Sequence, residues 1–79
     1  MLRMQNIVGG KVRLARSRFT PRMTQAALAT KLQLGGWNID RAGVAKIEAG
    51  IRQVTDLEVV RLARALDVTA GWLFAEEEN

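Results

Sequence analysis

The chain has no cysteine, no histidine and no tyrosine, and only one proline in 79 residues. Without cysteine there is no disulfide framework, thiol nucleophile or zinc–thiolate site. Without histidine it lacks the side chain that most often serves as general base or metal ligand near neutral pH. No Gly-rich phosphate loop and no paired carboxylates in an apolar setting replace them, so catalysis is not expected, nor a cofactor or metal. The one dense run of oxygen ligands, at 76–78, lies where a chain end frays and would hold a cation poorly. No apolar run approaches the roughly 18 residues of a membrane span, and no signal-peptide h-region opens the chain. The expectation is a soluble, cytoplasmic protein without membrane contact. An apolar content of 48% excludes a mainly disordered chain, because disorder goes with low hydrophobicity and high net charge.

Acidic residues are also missing from the whole first half. Arg3, Lys11, Arg13, Arg16, Arg18, Arg22 and Lys31 precede the first acid, Asp40; from Asp40 onward five basic residues meet eight acidic ones. Such asymmetry is what an anion-binding face leaves in a sequence, and nucleic acid is the commonest large anion in a cytoplasm. The alternative is an ordinary solvated basic surface.

What is present reads as helices. Val8, Val12 and Ala15 recur at i, i+4, i+7 between basic residues, with Asn6 as candidate N-cap, and Pro21 stops that helix before Thr20. Thr24 caps a second helix through Leu32, broken by Gly35 and Gly36. Asp40 caps a third, from Arg41 to Ala49, with Val44 and Ile47 inward and Gly50 as its stop. Thr55 and Glu58 form a capping-box pattern, opening a fourth helix with Leu57, Val60, Ala63 and Leu66 expected inside. Val59 and Leu62 widen that face, so burial on two sides is expected, by the core and by a fifth helix or another subunit. Thr69 caps a fifth helix from Ala70 to Phe74. Residues 51–54 are too short for a strand. The class is all-α, a single domain over 1–79 with its core at about 7–75 and an acidic tail at 76–79.

Thr24, Gln25, Leu28 and Ala29, then Lys46-Ile47-Glu48-Ala49-Gly50, then Leu62-Ala63-Arg64-Ala65-Leu66-Asp67-Val68-Thr69 stand in the order of a known pattern. The chain resembles the Cro/repressor-type (XRE-like) helix-turn-helix family from about Val8 to Phe74. Two departures stand out. The connection at 33–39 is about five residues longer than the usual tight turn, and the segment at 19–23 about two. The resemblance implies a five-helix, lambda-repressor-like DNA-binding domain whose second motif helix lies in the major groove. It makes residues 40–50 the reading segment.

On that footing Arg41, Ala42, Ala45 and Lys46 are the candidate base contacts. Arg41 can bond guanine O6 and N7 bidentately, Lys46 a base or phosphate, and the two alanines a thymine methyl. Gly43, costly inside a helix by roughly 1 kcal/mol, suggests close approach to a partner. Gln25, at a helix start whose free N–H groups favour a phosphate, joins Arg16, Arg18, Arg22, Arg52 and Gln53 as candidate phosphate contacts. Each could be ordinary surface instead. Glu48, near Lys46 and Arg52, resembles the family glutamate that holds the helix pair. Trp37 is either a wedge near DNA or, preferred here, a plug over Leu32 and Leu34. Trp72, Leu73 and Phe74 either close the core or, preferred here, form a dimer seam, with Val59 and Leu62 as further candidates for it.

The expected function is sequence-specific transcriptional regulation, as a repressor bound as a homodimer to a palindromic operator in double-stranded DNA. The second reading keeps the fold but not the DNA: an antitoxin-like or anti-regulator module that holds a protein partner. It is motivated by a reading face with only two side chains able to hydrogen-bond bases.

Overall fold

A computed structural model describes residues 4–75; Arg3 and the acidic tail at 76–79 lie outside the described residues. Five helices form among them: α1 (Gly9–Ser17), α2 (Gln25–Leu34), α3 (Arg41–Glu48), α4 (Asp56–Leu66) and α5 (Ala70–Phe74). No strand occurs among the described residues, and no helix there is long and apolar enough to cross a membrane. Four of the helices begin alike. Thr24, Asp40, Thr55 and Thr69 each accept a hydrogen bond from the backbone N–H three residues on, at Ala27, Gly43, Glu58 and Trp72. This satisfies donors that a helix start leaves unpaired. At Thr55 the Glu58 side chain reciprocates, completing the capping box.

α1 begins differently. Asn6 stands three residues before Gly9, and its Oδ1 accepts from the N–H groups of Val8 at 3.1 Å and Gly9 at 2.8 Å. Its amide Nδ2 donates to the carbonyls of Ile47 at 3.1 Å and Arg52 at 2.8 Å. The cap position of α1 is Val8, which makes no side-chain cap bond. Asn6, expected to be that cap, stands two residues earlier and acts as a clasp that ties the start of α1 to the end of α3. The two helices approach so closely that a Cβ on Gly9 would collide with the Ile47 carbonyl oxygen.

The core runs through every helix. Val12 and Ala15 meet Leu28, Leu32, Val44, Ile47, Leu62, Leu66 and Leu73, with Met23 and Ile39 added from the connections. In α4 the inward stripe is Val59, Leu62, Ala63 and Leu66, while Leu57 is 60% and Val60 38% exposed. That corrects the expected inner face at its first two positions, and α4 is covered on one side only within the chain. Two apolar stripes compete on this helix. The one through Leu57 and Val60 runs on into Arg61 and Arg64, whose charges resist burial, whereas 59, 62, 63 and 66 are apolar throughout.

The long connection is anchored rather than loose. α2 extends to Leu34, two residues past the expected end, and Gly35 caps it. The Trp37 N–H then donates to the Leu32 carbonyl at 2.9 Å, and the Gln33 amide donates to the Ile39 carbonyl at 2.7 Å. Ile39 is buried and Trp37 half-buried against the core. Trp37 does not plug Leu34, which is 84% exposed. A Cβ on Gly43 would collide with the Ile39 side chain, so a close approach within the chain already calls for this glycine.

Because Asn6 makes four buried or part-buried hydrogen bonds, Asn6→Ala is expected to cost about 2–4 kcal/mol in urea denaturation. Thr24→Ala, which removes one cap, should cost about 1 kcal/mol. Equal losses for the two would show that Asn6 acts as a cap alone.

Candidate nucleic-acid interface

α3 carries its four outward residues as two adjacent pairs one turn apart. Arg41, Ala42 and Lys46 are exposed and Ala45 is half-buried, while Val44 and Ile47 point into the core. Neither the Arg41 nor the Lys46 side chain makes a hydrogen bond or ion pair among the described residues. Their donors face solvent on one side of a helix whose opposite side is fixed.

The attitude of α3 is set by a buried charge cluster. Arg16, 6% exposed, donates from Nε to Glu48 Oε2 at 2.6 Å and from Nη2 to Oε1 at 2.7 Å. Its Nη1 donates to the Met23 carbonyl at 2.8 Å, and the Gln25 amide donates to Glu48 Oε1 at 3.1 Å. One carboxylate thus joins α1, the entry to α2 and the end of α3, with no buried side-chain polar atom left unpaired among the described residues. One expectation changes here: Arg16 is not a free phosphate contact, because burial and a bidentate carboxylate occupy its guanidinium. Glu48 holds the helices together, with Arg16 and Gln25 as its partners.

Beside this cluster lies a cleft of about 580 Å³, lined by Arg13, Arg22, Thr24, Gln25, Ala45 and Ala49 with the Arg16–Glu48 pair in its floor. It joins the start of α2 to the outward side of α3. No acidic residue stands in the first turn of α2, and the carboxylate that does line the cleft, Glu48, is paired with Arg16. Since Arg16 already neutralises Glu48, the cleft presents net positive charge. Arg13 was not singled out from sequence. The available signal was its place on α1, one turn before Arg16 on the side away from Val12 and Ala15.

The other phosphate candidates are scattered. Arg18 lies over the Trp72 ring at 4.9 Å, with Lys11 at 4.5 Å from the same ring, and does not line the cleft. Arg52 is half-buried, donating to the Gln53 carbonyl at 3.0 Å and pairing with Glu58 at 3.3 Å, with Trp37 at 5.4 Å. Gln53 is exposed beside it. Of the dimer-seam candidates, Val59, Leu62 and Leu73 are at most 2% exposed. The chain's own core occupies them, so they cannot also be a surface. Trp72 is half-buried under its two cations, and Phe74 is 46% exposed.

A family model described as Helix-turn-helix (HTH_3) matches residues 22–73, from the entry to α2 to α5. Among solved structures, the chain is similar to the restriction-modification controller protein C.AhdI from Aeromonas hydrophila. Identity is 30% over 85% of this chain and 87% of that one, with a TM-score of 0.70. No curated protein sequence gives a significant match.

Removing one partner of a buried ion pair strands the other, so Glu48→Gln is expected to cost about 3–5 kcal/mol in chemical denaturation. The double variant Arg16→Met with Glu48→Leu should recover most of that loss, since no charge is then stranded. A double variant no more stable than the single one would mean that the cluster contributes more than its own satisfaction.

Proposed function

The chain belongs to the helix-turn-helix family, and from that premise we propose that it is a DNA-binding transcriptional regulator that represses by occupying a palindromic operator as a homodimer. The observation that carries this reading is the pairing of an α3 face bearing unengaged Arg41 and Lys46 with the positive cleft at the start of α2. In this arrangement α3 enters the major groove. Arg41 reads guanine O6 and N7, Lys46 reads a base or phosphate, and Ala42 and Ala45 make apolar contact with thymine methyls.

Phosphates are held alongside. Gln25, positioned by Glu48, and the N–H groups at the start of α2 take one, with Arg13 and Arg22 on either side of it. Arg52 and Gln53, beyond the end of α3, contribute a weaker contact because Glu58 shares the Arg52 charge. Phosphate contacts supply affinity and salt dependence, and base contacts supply sequence preference. In a homodimer two copies of α3 read half-sites about 10 bp apart. The likeness to a restriction-modification controller supports the regulatory class.

Fluorescence anisotropy against genomic fragments tests this reading. Binding is expected to weaken steeply with salt. Arg41→Ala combined with Lys46→Ala should lower specific affinity by about 10- to 1,000-fold while the fold is retained. Arg13→Gln should instead weaken binding to all sequences alike and reduce the salt slope by about 1. Absence of salt-sensitive binding by the parent chain sinks the reading. If the double variant loses a protein ligand and not DNA, the fold serves protein recognition.

A further inference from the structure

The outward side of α4 is apolar at its middle and charged at its ends. Asp56, Val60 and Arg64 stand at i, i+4 and i+8, one row along the helix, and all three are exposed, with Leu57 beside them. Leu34 is 84%, Leu57 60% and Val60 38% exposed. The three border a groove of about 490 Å³ between the end of α2 and α4. Lys31, Arg61 and Arg64 also line it, but two of these are engaged: Lys31 donates to the Ala65 carbonyl and Arg61 to the Gly35 carbonyl. Arg64 has no side-chain partner among the described residues. Asp56 uses one oxygen, Oδ1, to accept from the Leu57 N–H at 2.7 Å.

An acid–apolar–base row of this kind is complementary to itself when reversed. A two-fold axis through Val60, the operation that generates an isologous dimer, sets two α4 helices antiparallel. Asp56 of each copy then meets Arg64 of the other, Val60 meets Val60, and the groove beside the row receives Leu57 of the second copy. A parallel arrangement would put acid against acid. We infer that the outward face of α4, with Leu34, is the seam through which two copies of this chain pair. The inference rests on the homodimer reading and names its surface, replacing a seam whose buried members the core already uses.

Because the chain has no cysteine, the axis can be located directly. Val60→Cys should oxidise to a disulfide-linked dimer at micromolar protein, since only a residue near the axis lies within the roughly 4.4–6.8 Å Cα separation that a disulfide spans. Ser17→Cys, exposed on α1, should stay monomeric under the same conditions. In sedimentation equilibrium of the full chain, Arg64→Glu should weaken pairing by about tenfold or more. Adding Asp56→Lys to it should restore pairing, with circular dichroism melts verifying that each variant folds. Cross-linking at Phe74→Cys but not at Val60→Cys would place the seam on α5 and overturn the inference. An Arg64→Glu chain that pairs like the parent overturns it as well. Anisotropy on the same samples separates the two readings. A monomer that still binds DNA with salt sensitivity refutes the pairing alone, and a dimer indifferent to DNA refutes the DNA-binding reading alone.

Discussion

Taking a guanidinium and a carboxylate out of water costs several kcal/mol per ion unless every donor and acceptor finds a partner. The Arg16–Glu48 pair meets that condition. Its two short bonds are supplemented by the Met23 carbonyl and the Gln25 amide, so three stretches of chain converge on one pair of charges. The requirement is directional in a way that hydrophobic contact is not. Close packing of Leu28, Val44 and Ile47 fixes how near the helices come, and a bidentate fork tolerates little rotation. The angle at which α3 leaves the body therefore follows from the cluster and the core together.

The rest of the interface hangs on that angle. Gln25 is held by the same carboxylate that Arg16 neutralises, so the first residue of α2 and the outward row of α3 are set relative to each other by a single side chain. Asn6 acts from the opposite end, fastening the start of α1 to the carbonyls of Ile47 and Arg52. Between them, Asn6 and Arg16 secure both ends of α1 to the C-terminal part of α3. α3 is thus braced by α1, while Arg13 on that same brace lines the cleft.

Much of this was legible in the sequence where the physics is local. Thr24, Asp40, Thr55 and Thr69 announced helix starts because a cap and its donor lie three residues apart. The outward residues of α3 followed from its period once Val44 and Ile47 were assigned inside. What was not legible depends on contacts across the fold. Helical position sets Arg13 further from the Val12 and Ala15 stripe than Arg16, but nothing near Arg16 in the chain says that its charge is buried while Arg13 lines the cleft and Arg18 covers Trp72. The difference lies in Glu48, 32 positions away. The two apolar stripes of α4 presented the same difficulty: periodicity gives both, and only the charges that follow Leu57 and Val60 argue which must face water. The same choice of stripe decides against a seam at Val59 and Leu62, which the core occupies.

The connection between α2 and α3 bears on how such a protein can change over generations. The start of α3 is defined by the buried Ile39 and the Asp40 cap, and its end by the charge cluster and the clasp from Asn6. The connection itself is held, by the Trp37 N–H on the Leu32 carbonyl and the Gln33 amide on the Ile39 carbonyl. Length is therefore free to vary only at its exposed positions, Gly36 and Asn38, and only while Trp37 keeps its seat on the core and Ile39 its burial. Those two positions are where a descendant gains reach without disturbing how α3 is held.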